Sequence, residues 1–303
     1  MSQVDQAIFA RNPQRYVPWL ILVAAFLVYV ATLSQRLDRN SLYELMVIEH
    51  GSATELLRPN HMLFRPLARG FYNLWQFFGY EGRALLPAQL LVAFTGAAAV
   101  AILWVILVEI GSDRRLAAWL TLAYASGYAC WYWSTNVHYM LPAVSSACAA
   151  FLLMLRLRRI PPTPVRLVGM SLLTALAIAF WQANVFIVAP LSYGILFLPQ
   201  AVSISQRRQA LLIWGGLTLA LVAGLYLIVG TQVYGVDSLS SLRSWLTTYP
   251  AKMTVYGQMD PHRVVPTFIS AVAAILPVWE GLGLRALLRG ELILQKIIPQ
   301  VSR

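Results

Sequence analysis

Long apolar runs separated by short polar connectors occupy most of this chain. A run of about 20 apolar residues carries a helix across a hydrocarbon core roughly 30 Å thick. The runs are unbroken rather than alternating, which selects helices over a closed barrel, because lipid offers no partner to a free backbone N–H or C=O. The pattern predicts about eight transmembrane helices: Val17–Ser34, Ala84–Ile110, Leu116–Thr135, Val137–Leu157, Val165–Gln182, Asn184–Pro199, Leu211–Tyr234 and Val264–Leu287. The expected fold is therefore all-α: a polytopic membrane helical bundle in a single membrane domain covering residues 1–303. No small-residue cleavage site follows the first run, so it reads as a retained anchor.

Two stretches interrupt the rhythm, Gln35–Arg83 and Gly235–Arg263. Loops of such length usually carry structure or function of their own. In the first, Leu42, Leu45, Met46 and Glu49 follow helical spacing and Gly51 offers a stop. His61–Tyr80 is apolar and aromatic yet holds Arg65 and Arg69 one turn apart, as an interfacial amphipathic helix does. The second stretch mixes Trp245, Tyr249 and Tyr256 with Arg243 and Lys252, again an interfacial composition.

Apolar residues make up 59% of the chain and charged residues 12%, so the formal net charge of +11 needs a local explanation. The basic residues sort into alternate connectors: Arg11 and Arg15, then Arg114 and Arg115, then Arg156 to Arg166, then Arg207 and Arg208, then the tail after Leu287. The positive-inside rule makes those connectors, and both termini, cytoplasmic. A multi-pass protein of the bacterial plasma membrane is expected. No nucleic-acid-binding motif accompanies the charge, which argues against DNA or RNA as a partner. Cys130 and Cys148 fall within spans and read as small apolar filler rather than a disulfide or metal site.

All four histidines and seven of the twelve acidic residues then lie on the outer side. In a lipid-embedded chain, the place where polar groups collect points to function. Asp38 follows the first span, where a carboxylate can take a proton from a hydroxyl or pair with Arg36 or Arg39. In Arg58-Pro-Asn-His-Met-Leu-Phe-Arg-Pro-Leu67, His61 can exchange a proton near neutral pH, and Arg65 and Arg69 suit phosphate oxygens or lipid headgroups. Glu44, Glu49 and His50 read as solvated helix-face residues or as part of the same site. His138 and Tyr139 at an outer turn line a cavity or join an aromatic belt. Gln182 and Asn184 serve either turn formation or sugar recognition. His262 and Arg263 either close over a substrate or form a simple turn. Glu109 and Glu280 read as structural.

This layout resembles the GT-C membrane glycosyltransferases, in particular the protein O-mannosyltransferase and lipid A aminoarabinose transferase type. The matching residues are Asp38, then Tyr43-Glu44-Leu45, then His61-Met62-Leu63-Phe64 with Pro66-Leu67, and Ala179 to Asn184 as a sharp outer turn. The resemblance spans roughly residues 16–235, leaving 236–303 as an outer loop, a last span and a cytoplasmic tail. It implies transfer of a sugar from a polyprenyl-phosphate carrier to an acceptor on the outer face. Asp38 matches the catalytic acidic position and His61 the histidine of the later element. Because Asp38 is followed by Arg39 rather than a second acid, no paired-carboxylate metal motif is present, and the cofactor stays open. Relatives of this type usually continue with further spans or a soluble domain, so a non-catalytic membrane subunit, acting as scaffold in a larger complex, is the alternative expectation.

Overall fold

The computed structural model describes residues 16–159, 161–199 and 202–252. Among the described residues twelve α-helices form in chain order, joined by turns and two 3-10 segments. They are α1 Val17–Ala31, α2 Arg39–His50, α3 Ala53–Leu56, α4 Phe64–Phe77, α5 Leu85–Glu109 and α6 Arg114–Ser126. The others are α7 Tyr128–Thr135, α8 Met140–Leu157, α9 Pro164–Phe180, α10 Val188–Leu196, α11 Ile204–Tyr234 and α12 Leu239–Lys252. No strand occurs among the described residues.

Three helices, α5, α8 and α11, are long and apolar enough to cross a membrane, while α1, α9 and the run Gln182–Leu196 are apolar but shorter. The protein is thus an all-helical membrane protein in which, among the described residues, three of the expected spans reach full crossing length. The differences have local causes. Thr32 ends α1 after 15 residues, its hydroxyl donating to the carbonyl of Val28. The predicted span Leu116–Thr135 is broken at Gly127, whose extended ψ of 137° separates α6 from α7. Glycine is among the weakest helix formers. There the Tyr29 hydroxyl of α1 donates to Ala125 O at 3.0 Å, and such pairing matters most where water is scarce. The predicted span Asn184–Pro199 begins as a 3-10 segment over Gln182–Ile187 and leaves only nine α-helical residues in α10. Conversely, α11 starts at Ile204, well before the predicted Leu211, because Ser203 and Gln206 form a capping box. The predicted span Val264–Leu287 lies outside the described residues.

Helices α5 and α8 form the centre, with α1 and α6 to α7 against α5, and α9 between α8 and α11. One core cluster joins α1, α2, α4, α5, α7 and α8; a second joins α8 to α11. Small residues let helices approach closely: a Cβ on Gly96 of α5 would stand 2.2 Å from the Ser134 hydroxyl of α7. Trp19, Leu20, Val23 and Leu27 of α1 and Trp119 and Leu122 of α6 face outward, as helices in contact with lipid do.

The segment between α1 and α5 folds back onto the bundle. Leu63 N–H donates to Ala179 O at 3.1 Å, Tyr226 OH donates to Pro59 O at 2.7 Å, and Tyr234 OH donates to Thr54 O. In α4, Phe64, Arg65 and Ala68 are buried, whereas Leu67, Leu74 and Phe77 are exposed. The helix is amphipathic, and Arg65 turns toward protein while part of the apolar surface turns outward.

Candidate functional site

One end of the bundle carries three of the four histidines, and its polar side chains come from α2, the Pro59–His61 turn, α4 and the turn between α7 and α8. Asp38 is the N-cap of α2. Its Oδ1 accepts from Ser41 N–H at 2.6 Å, satisfying a donor that the first helical turn leaves without an intrahelical partner. Its Oδ2 accepts from the Tyr132 hydroxyl at 2.9 Å. The carboxyl is half-buried. Burial pushes its pKa up, but the hydrogen bonds from Ser41 and Tyr132, with His138 nearby, outweigh burial and hold it below the ordinary carboxylate value. Asp38 is therefore a charged acceptor over the whole neutral range. Its carboxylate forms no ion pair with Arg36 or Arg39 among the described residues.

Two turns further along α2, Glu44 is buried. Arg65 of α4 grips it with a bidentate pair, Nε to Oε2 and Nη2 to Oε1, each 2.7 Å, while Arg65 Nη1 donates to Glu55 O. The fork of the guanidinium matches the carboxylate plane, and desolvation makes the pairing stringent. Tyr43 lies beneath the cations, with the guanidinium carbons of Arg58 and Arg65 at 5.0 and 5.2 Å from its ring centroid. Arg69 donates from Nε to Ile48 O at 2.7 Å and from Nη2 to Val47 O at 2.8 Å, closing the C-terminal turn of α2. Both predicted phosphate-binding arginines are thus engaged inside the protein, because α4 packs along α2 and brings its guanidiniums to acceptors distant in sequence.

His61 is 3% exposed. Its Nε2 is 3.5 Å from Glu44 Oε1, and neither ring nitrogen forms a hydrogen bond. Its ring stacks on Tyr139 with centroids 4.3 Å apart and planes 7° apart. Burial, then the positive charge of Arg65, with His138 and Arg58 adding to it, hold the imidazole well below its ordinary pKa, so it is neutral at physiological pH. His138 is equally buried. It accepts from Met140 N–H through Nδ1 at 3.3 Å, which leaves the ring proton of the neutral form on Nε2. Burial lowers His138 to about 4, the neighbouring Asp38 opposing the shift in part.

The rings of Tyr132, Trp133, His138, Tyr139 and His61 follow one another at centroid distances of 4.1–4.8 Å. They link Asp38 at one end of the row to Glu44 and Arg65 at the other. Asp38, Glu44, His61, Arg65, His138 and Tyr139, proposed from sequence, therefore belong to one connected set, and Arg69 braces the helix that carries two of them.

Gln182 and Asn184 flank this set rather than joining the row. Asn184 donates from Nδ2 to Ala177 O at 3.0 Å and from its backbone to Trp181 O at 2.9 Å, closing the end of α9. Gln182 opens the 3-10 segment. His262 and Arg263 lie outside the described residues. Sequence reasoning missed Tyr132 as the partner of Asp38; its available signal is the Tyr128–Tyr132 spacing, one helical turn in an aromatic run. It also missed Gln89, which donates to Ser34 O at 2.8 Å and Thr135 O at 2.9 Å and ties the ends of α1 and α7 together. A lone glutamine in an apolar span is the signal for that clamp. Among the described residues, no group of three or more His, Cys, Asp or Glu side chains is arranged to hold a metal ion. Comparison of the chain with protein-family models, curated proteins and solved structures gives no match.

Proposed function

We propose that this protein is a multi-pass membrane glycosyltransferase, with both termini cytoplasmic, that moves a sugar from a polyprenyl-phosphate carrier to an acceptor hydroxyl at the outer face. The observation that carries the reading is Asp38: a half-buried, ionised carboxylate oriented by Tyr132 and Ser41, at the end of the bundle where the histidines gather. The acceptor oxygen attacks the anomeric carbon, the bond from that carbon to the phosphate oxygen breaks, and the polyprenyl phosphate leaves with the electron pair. The acceptor proton passes to Asp38. A carboxylate held below its ordinary pKa is a weak base, so it takes the proton late, once bond formation has made the hydroxyl acidic. Since Arg65 and Arg69 are committed internally, this reading assigns the phosphate to the exposed Arg36 and Arg39, which flank Asp38 in sequence.

The test is Asp38→Asn. Asparagine caps a helix about as well as aspartate, so α2 stays capped while the proton acceptor disappears. Transfer from a labelled polyprenyl-phosphate sugar in proteoliposomes is expected to fall by roughly 10²–10⁴-fold, with unchanged expression and elution. Wild-type rates in the variant would remove Asp38 as the base. The internal engagement of Arg65 and Arg69 favours a second reading, a non-catalytic membrane subunit. Stoichiometric co-purification with other membrane proteins and no transfer by the wild-type chain would select it.

A further inference from the structure

A neutral imidazole has one N–H and one lone pair, and both are costly to bury without partners. His61 is such a group: buried, closed on one face by Tyr139, and without a hydrogen bond at either nitrogen. The nearest charged acceptor fixes which nitrogen carries the proton. Glu44 Oε1 stands 3.5 Å from Nε2, and Glu44 is itself held by two bonds from Arg65. The proton therefore belongs on Nε2, facing the carboxylate, and the lone pair belongs on Nδ1. The two in-plane directions of the ring diverge widely, so Nδ1 is turned away from Glu44.

We infer that His61 is a hydroxyl-binding residue, its ring oriented by the Glu44–Arg65 pair so that Nδ1 accepts a hydrogen bond from a carbohydrate hydroxyl. This deepens the reading of the site as one for sugar transfer and rests on it for the identity of the ligand. The surroundings select a neutral donor. Nδ1 presents a lone pair, which calls for a donor rather than an anion, and Arg65, the cation beside the ring, is already bonded to Glu44. A metal ion finds no cluster of three ligating side chains among the described residues. An ammonium group meets the positive field of Arg65 and Arg58, which already disfavours charge on His61. The adjoining Asn60 also leaves its buried Oδ1 without a partner, a second acceptor one residue away. Glu44 and Arg65 act through His61 and are positioning residues.

Nitrogen NMR of the full chain in lipid nanodiscs, with isotope-labelled histidine rings and His61 assigned from the spectrum of His61→Gln, tests this directly. At neutral pH the expected spectrum is a neutral ring protonated on Nε2. The Nδ1 resonance should shift on saturation with methyl pyranosides and stay in place with inorganic phosphate or with tetrahydropyran, which has the ring without the hydroxyls. A proton on Nδ1, an Nδ1 resonance silent to the glycosides, or a response to phosphate alone would overturn the inference. The outcomes separate from those of Asp38→Asn. A glycoside response in a chain that transfers no sugar leaves the acceptor site standing and sinks the enzyme reading. Asp38-dependent transfer with a silent His61 does the reverse.

Discussion

Glu44 and Glu109 are both carboxylates paired with arginine across different helices, yet they do different physical work. Glu44 and Arg65 have side chains 5% and 1% exposed and meet through two bonds of 2.7 Å. Glu109, at the opposite end of the bundle, meets Arg159 at 2.9 Å and Arg156 at 3.6 Å, with those arginines 66% and 46% exposed. Water competes for the second pair, and a surface ion pair adds about 0–1 kcal/mol. For the first pair water is excluded, and removal of one partner strands a charge. The basic end uses arginine mainly to close helix ends, as Arg207 does by donating to Val202 O, Leu196 O and Pro199 O. Arg69 closes a helix end at the histidine end as well, but there Arg65 also holds a buried carboxylate beside a neutral imidazole. The same residue type therefore marks solvated stitching in one place and a pre-organised polar site in the other.

The largest effect expected on stability comes from Glu44→Gln, which leaves Arg65 buried with an incomplete partner and should cost roughly 3–5 kcal/mol. Unfolding in mild detergent measures it, and a cost equal to that of Glu109→Gln would erase the contrast between the two ends. Acid provides the next test, because no histidine lies among the described residues of the basic end. His138 is held at about 4 against an ordinary 6.5, so the unfolded chain binds more protons between those values. Stability is then complete above the ordinary value and falls with pH toward about 4, by on the order of 3 kcal/mol. The depressed pKa of His61 works in the same direction. Asp38, also depressed, adds stability that is lost only as pH falls through its own folded-state value, below 3.8. A flat stability profile from neutral pH to about 4 would contradict burial of the neutral ring.

Tyr132→Phe should be milder. It removes one hydrogen bond to a charged acceptor, roughly 1.5–3 kcal/mol, and lets the Asp38 pKa rise. Any sugar-transfer activity should then shift its acid limb upward, a change that simple loss of packing does not produce. Glu109→Gln is expected to have the smallest effect, about 0–1 kcal/mol and reduced further by salt. A cost above that range would show that the basic end is drier than its exposure implies.

Much of the helical layout was legible because hydrophobic runs and caps are local. Gly51 after α2 and the predicted start of α9 at Val165 mark boundaries within a residue or two of those observed. Gly127 was less legible as a break, since a single glycine in an apolar span usually stays helical. The site was legible as a collection of residue types and not as a set of pairings. Arg65 lies 21 residues from Glu44, and Arg69 lies 21 and 22 from the carbonyls it caps. The spacing of two arginines along α4 gives no sign of which face turns toward α2.

Apolar run length and the placement of charge were enough to specify helices, a membrane setting and a polar end, because each follows from the cost of exposing backbone or charge to lipid. Which cations are spent within the chain, which imidazole keeps an unshared lone pair and which tyrosine holds Asp38 depend on how the segment between α1 and α5 folds back. Those contacts join residues far apart in sequence through a few ångströms of packed, water-poor space, where a carboxylate, a guanidinium and a ring acquire their roles from one another.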